Sequence, residues 1–362
     1  MPRSEPIVLE RQGYFYVGGE YDNPANPEFV VNHMYVEYQI PSGAENKYPV
    51  IMVHGGAQLG TNFTGTPDGR EGWRDHFLRN GFAVYVVDQP GRGRSRYLES
   101  DYGPQSVYAS IETIQKLFTA TKLFNAWPQA HLHTQWPGPG TPGDDIFDQY
   151  YAQNFPGMDN LKQEQKTVAA LIALFDKIGP AVLMTHSQSG SHGWPVADAR
   201  PNLVKAILAI EPNGPPFYDE ANTYLDRPWG IARMPMHFSP PADSPEELNP
   251  VQEAEPQGPD LFRCWKLGKP RRLVRLQNTP VLVLTGEASF RAQCDHCTAD
   301  FLKRAGVPAD HIKLEDLGIR GNGHMMMLEK NNTEIAEVIV EWLDKKVKRE
   351  NQGVIPAPGA SP

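Results

Sequence analysis

"AVLMTHSQSGSHGW", residues 181–194, runs four apolar residues straight into Thr185, His186, Ser187, Gln188, Ser189 and Gly190. A continuous apolar run of this kind is what a strand buried on both faces requires. A serine at the point where such a strand stops has a chemical use. Its hydroxyl becomes a useful nucleophile only if a base takes its proton and hydrogen-bond donors await the oxyanion. A sharp strand-to-helix turn serves both needs, because it exposes the hydroxyl and brings up the N–H groups of the following helix. Such a turn needs small residues two places before and two places after the nucleophile. Thr185 and Ser189 take those places around Ser187, with Gly190 behind them. Ser189 with Ser187 and Ser191 as flanks fits the same rule, but draws the turn past the end of the strand. Ser187 is therefore the expected nucleophile; the bland alternative is a serine that merely caps a helix.

Working outward, four more apolar runs share this character: "PVIMVHGG" (49–56), "FAVYVVDQPG" (82–91), "VKAILAIEPNG" (204–214) and "PVLVLTGE" (280–287). Helical patterns lie among them. Val168, Leu171, Ile172 and Phe175 repeat at helical spacing until Gly179-Pro180, and Ile335, Val338, Ile339, Trp342 and Leu343 repeat it near the end. Met34, Val36, Tyr38 and Ile40 instead alternate with polar neighbours, as a strand with one wet face does. The expectation is an α/β fold, a mostly parallel mixed sheet flanked by helices.

Two stretches break the alternation. Residues 97–160, rich in aromatics, proline and glycine, read as a cap inserted into a core formed by 1–96 and 161–350. Residues 215–272 read as a proline-rich, partly ordered excursion, and 351–362 as a disordered tail.

The remaining chemistry falls at strand ends. The His54-Gly55-Gly56 turn brings backbone N–H groups close to a ligand, which makes Gly56 and Gln188 the expected oxyanion donors, with Ala57 as the alternative. His324, last of the 11 histidines, lies in a glycine-rich loop after the segment "HIKLEDL", the place of the general base in the chain order nucleophile, acid, histidine. For the acid, Glu211 and Glu287 end successive strands, and strands lie only about 4.8 Å apart, so spacing leaves both open. A carboxylate closing an apolar strand such as "AILAIE" needs a partner if buried, and an imidazole would serve.

Several classes are set aside. The chain of 362 residues carries a net charge of −9, against the basic footprint of a nucleic-acid binder. No run is long enough to span a bilayer, and the first residues lack the apolar region of a secretory signal, so a cytoplasmic protein with no membrane partner is expected. Cys264, Cys294 and Cys297 are too few for a disulfide framework; Cys294 and Cys297 are read as sharing a helix face, and no second ligand pair completes a zinc site. His131 and His133 likewise lack a completing ligand set. Arg96 occupies the third glycine position of a dinucleotide fingerprint in "GRGRSR", so Asp88 to Ser95 is read as a structural turn. Met325 to Met327 are read as packing. No metal or organic cofactor is expected.

The blocks "TPDGREGW", "FLRNGFAVYVVDQPGRGRS", "THSQSG", "EPNG" and "GNGHMMMLEKNN" resemble the α/β-hydrolase superfamily, and within it the unusual serine esterase group of Alcaligenes. The resemblance runs in blocks from about residue 30 to 345. It implies a triad of Ser187, Glu211 and His324, and so favours Glu211 over Glu287. That group has two adjacent cysteines where this chain has Gly56-Ala57. The expected activity is hydrolysis of a carboxylic ester through an acyl-enzyme. The cap aromatics Tyr108, Phe118, Phe124, Trp127 and Trp136 suit a bulky apolar or aromatic small molecule. The alternatives are lactone or C–C bond hydrolysis, acyl transfer, or a non-catalytic binding homologue. The partners expected are the small-molecule ester and, beyond it, at most a second copy in a homodimer.

Overall fold

A continuous hydrophobic strand can be covered on both faces only if helices return along each side of the sheet. The computed structural model, which describes residues 5–44, 47–106, 108–219 and 224–347, has that arrangement. Its strands are β1 (Leu9–Tyr21), β2 (Val30–Pro41), β3 (Val50–Val53), β4 (Val84–Asp88), β5 (Ala181–His186), β6 (Val204–Ile210), β7 (Val281–Thr285) and β8 (Ala309–Lys313). They form one sheet in the order β1-β2-β4-β3-β5-β6-β7-β8. β1 and β2 are antiparallel to their neighbours, and β4 through β8 run parallel. The mixed sheet read from the sequence is therefore present.

The pleat divides each strand between two cores. Val50 and Met52 pack on one side, Ile51 and Val53 on the other. One core is covered by α2 (Asn160–Ile178), α3 (Gly190–Ala199) and α4 (Asp295–Arg304), through Leu171, Phe175, Trp194 and Phe301. The other is covered by α1 (Trp73–Arg79) and α5 (Asn332–Lys346), through Trp73, Phe77, Ile335 and Ile339, with Met325 to Met327 wholly buried among them. Asp159 caps α2 by accepting from Lys162 N at 3.0 Å, and Gly179 ends it at φ +81, a conformation that avoids Cβ strain only in glycine. Because β3 and β5 to β7 are parallel, the loops after them gather at one edge, where ligands bind on open α/β sheets.

The insertion at 97–160 is built of short helical turns and is sewn to the loop that precedes α5 and to the loop that follows β7. Thr134 N and Gln135 N donate to Gly321 O at 2.9 and 3.2 Å, Lys330 N donates to Gln135 O at 2.9 Å, and Trp127 Nε1 donates to Ala288 O at 3.1 Å. The excursion at 215–272 is more regular than the sequence implies. Its described residues hold three short antiparallel pairings, 217–218 with 225–227, 238–239 with 272–273, and 251–252 with 265–266. Phe217, Ile231, Phe238, Leu248 and Leu273 join the core. The tail expected to be disordered, 351–362, lies outside the described residues.

The cysteine reading needs correction. Cys264 in the excursion is bonded to Cys297 on α4, with Cα atoms 5.1 Å apart, while Cys294 is buried outside the bond. Spacing along the chain could not show this, because it depends on the excursion folding back over α4. Closing a loop of 33 residues removes unfolded-chain entropy worth about 3 to 4 kcal/mol at room temperature. Cys264→Ser is expected to lower the unfolding free energy by about 2 to 4 kcal/mol in urea denaturation.

Candidate active site

The turn after β5 is sharp. His186 is extended (φ −128), Ser187 has φ +52, and α3 follows after a single 3-10 turn. A left-handed serine is strained by about 1 to 2 kcal/mol, so the surroundings must hold it there. Close packing does so: a Cβ on Gly190 would lie 2.6 Å from Cβ of Pro212, and Asn213 N donates to Ser187 O at 2.8 Å. The two candidate serines separate cleanly. Ser189 Oγ is buried between Val53 O and His186 O, both at 2.9 Å, and accepts from His186 N. It staples the turn, while Ser187 is partly open.

The chain places the predicted acid and base in contact, with the base packed against His186. Glu211 Oε2 is 2.5 Å from His324 Nδ1 and also accepts from Ser289 Oγ at 2.5 Å; Oε1 accepts from Gly286 N at 2.7 Å. Burial pushes the Glu211 carboxyl up to about 8, opposed by those two donors and by the charge of Arg291. Glu287 turns elsewhere: it binds Arg320 Nη1 at 2.5 Å and Gly321 N at 2.9 Å. The His324 ring lies between Phe118, stacked with centroids 5.4 Å apart, and Phe290 at 4.6 Å, with His186 also at 4.6 Å. His186, next to the nucleophile, is held well below the usual histidine range by burial and by His324, so it is neutral and donates Nε2–H to His324 O at 3.0 Å.

The expected oxyanion donors follow from which carbonyls are pinned. In a trans peptide the C=O and the N–H point oppositely. Gly55 O accepts from His54 Nδ1 at 2.9 Å and Arg92 Nη1 at 3.2 Å, which turns Gly56 N–H the other way; Ser187 O, held by Asn213, does the same for Gln188 N–H. The two loops touch. A Cβ on Gly55 would meet His186 Nδ1 at 2.9 Å and Ser187 Cβ at 3.0 Å, so only glycine fits there. Ala57, the alternative donor, has φ +57, and its carbonyl accepts from Phe155 N at 3.1 Å.

Comparison with known proteins now adds to this geometry. The family model described as "Alpha/beta hydrolase family" matches residues 50–338. The chain belongs to that family. A probable secreted lipase of Fungal sp. (strain ATCC 74256) is 45% identical over 347 residues, covering 93% of this chain and 90% of that one. Among solved structures, a bacterial esterase described as novel superposes with a TM-score of 0.63 at 26% identity, over 95% of this chain and 98% of its own.

In this alpha/beta hydrolase the His324 loop is gripped from below. Glu329, wholly buried, accepts from Gly323 N at 2.9 Å and Asn322 Nδ2 at 2.7 Å, and pairs with His133 Nε2 at 2.6 Å. Arg70 donates to Leu328 O and Glu329 O, both at 2.9 Å, and Trp73 Nε1 donates to Asn332 O at 2.8 Å. The "TPDGREGW" block thus serves the histidine loop from far away in sequence. His133 is thus paired with an acid, and His131 Nδ1 faces Pro128 O at 2.7 Å.

Among the described residues, Cys264, His296 and Cys297 are the grouping whose potential metal-ligating atoms lie within 4.8 Å of one another, and there the disulfide removes the thiolates a metal needs. No helix among the described residues is long and apolar enough to cross a membrane. Arg92, inside the segment read as a structural turn, reaches both Gly55 O and the Gln188 side chain; no sequence signal marked it. The contrast between the serines is testable by chemical denaturation: Ser189→Ala is expected to destabilise by about 1 to 3 kcal/mol, and Ser187→Gly to be neutral or stabilising by up to about 1 kcal/mol.

Proposed function

We propose that this protein cleaves carboxylic esters by nucleophilic catalysis. The observation that carries the reading is the contact between buried Glu211 and Nδ1 of His324, on a ring packed against the residue preceding Ser187. One proton shared between Glu211 and Nδ1 puts the basic lone pair of His324 on Nε2, the atom that takes the Ser187 proton. Ser187 Oγ then bonds to the ester carbonyl carbon, and the oxyanion rests on Gly56 N–H and Gln188 N–H. The C–O bond to the alcohol breaks as His324 returns the proton to the departing oxygen. Water, losing its proton to the same histidine, attacks the acyl-enzyme and releases the acid. The names of the lipase and esterase relatives support an ester as substrate.

A bulky apolar or aromatic substrate is favoured by the ring wall of Phe118 and Phe290, with Trp127 edge-on to Phe290 at 5.8 Å. The other cap aromatics divide: Tyr108 lines the neighbouring cavity, whereas Trp136 packs on Tyr150 at 5.2 Å. The disulfide bears on compartment. Such bonds persist in oxidising surroundings, which supports export over a cytoplasmic setting, as does the relative described as secreted.

A fluorophosphonate probe is expected to label wild type and Ser189→Ala but not Ser187→Ala, with ester turnover in Ser187→Ala reduced by about 10⁴-fold or more. Persistence of label in Ser187→Ala, or none in the folded wild type, contradicts the reading. Ser289→Ala supplies a pH test. The Ser289 hydroxyl lowers the Glu211 pKa; its loss makes the pair more basic and the second, inactivating proton easier to add. The acid limb of kcat/KM is therefore expected to move to higher pH, and an unmoved or downward-shifted limb counts against the assigned pair.

A further inference from the structure

We propose that Arg92 is the recognition point for a carboxylate carried by the substrate, so that the preferred ester is an acidic one with a second, ionised carboxyl group. This rests on the ester-hydrolase reading and specifies its substrate class.

Arg92 is 2% exposed, and among the described residues no carboxylate lies within ion-pair distance of it. Its partners are neutral. Nη1 donates to Gly55 O at 3.2 Å and Nη2 to Gln188 Oε1 at 3.0 Å, while Nε is buried without a hydrogen-bond partner. Burial lowers its pKa only to about 10, so it is cationic at neutral pH. A guanidinium taken out of water without an anion is unfavourable unless something completes it. The arginines nearby differ: Arg94 binds Asp88 and Glu37, and Arg233 binds Asp226 and Glu164.

The location supplies the anion. Arg92 lines a cavity of about 730 Å³ together with Gly56, Ala57 and Gln188, the corner expected to hold the oxyanion, and with Tyr108 and Asn160. The Gln188 side chain bridges the two polar groups, accepting from Arg92 and donating Nε2–H to Asn160 Oδ1 at 3.0 Å. Its amide oxygen occupies a position that a carboxylate oxygen would fill with greater gain, since charge-assisted bonds are about twice as strong as neutral ones. Asp159 is the acidic residue on the cavity wall, exposed and engaged in capping α2. The cavity thus joins one buried positive charge to the Gly56, Ala57 and Gln188 corner.

The rival role is positional: Arg92 pins Gly55 O and so aims Gly56 N–H. The two roles differ in what they do to substrate choice. The test compares p-nitrophenyl hydrogen glutarate with its methyl-capped diester, which has the same chain and no charge. Wild type is expected to favour the acidic ester, and Arg92→Gln to reduce kcat/KM for it about 10²-fold more than for the diester. Arg92→Lys should restore part of that ratio by returning the charge.

Equal losses on both esters, or no preference in wild type, overturn the proposal in favour of the positional role. Glutarate binding by calorimetry reads the anion site without turnover: binding to wild type that is lost in Arg92→Gln supports the proposal, and no binding to wild type overturns it. Fluorophosphonate labelling of Ser187 reports separately on the ester-hydrolase reading, so failure of one is distinguishable from failure of the other.

Discussion

A carboxylate with no access to water is unstable unless donors surround it, and Glu211 is wholly buried at the end of β6. The loop after β7 provides two of those donors, Gly286 N–H and Ser289 O–H, and the loop before α5 provides the third, His324. Three segments far apart in sequence are thereby committed to one point. Parallel strand order makes this feasible, since β5, β6 and β7 are neighbours and end on the same edge. The raised proton affinity of Glu211 is the other side of its desolvation, and it makes the group a strong hydrogen-bond partner for the His324 imidazole.

Strain collects at the same edge. Ala57, Ser187 and Glu211 are non-glycine residues in the left-handed region, each just beyond the end of a different strand. The scaffold compensates by close contact, with Gly55 against Ser187 and Gly190 against Pro212 leaving no room for a methyl group. The small residues of the "HGG" and "HSQSG" stretches are thus requirements of two loops that approach each other.

That requirement explains why much of the candidate site is legible in the sequence. Apolar runs marked β3 to β7, and the small flanks marked Ser187. The acid was different, because Glu211 and Glu287 are equivalent in pattern, and only the resemblance separated them before the structure showed Glu287 bound to Arg320. What stayed hidden depends on long-range folding. The Cys264–Cys297 bond needs the path of the excursion, Glu329 looks like any helix-flanking glutamate, and Arg92 resembles a solvated arginine in a turn. A residue's burial and lack of a counter-charge are properties of its surroundings and leave no trace in its own neighbourhood of sequence.

The seam between residues 127–135 and the loop bearing His324 has a mechanical consequence. Any outward swing of that part of the insertion would pull on Gly321 and Ala288, and so on the backbone that seats the imidazole and the loop that solvates Glu211. Opening there would disturb the contact between Glu211 and His324. That part of the insertion and the two loops it is bonded to are therefore one mechanical unit, in which a displacement of either is carried to the other.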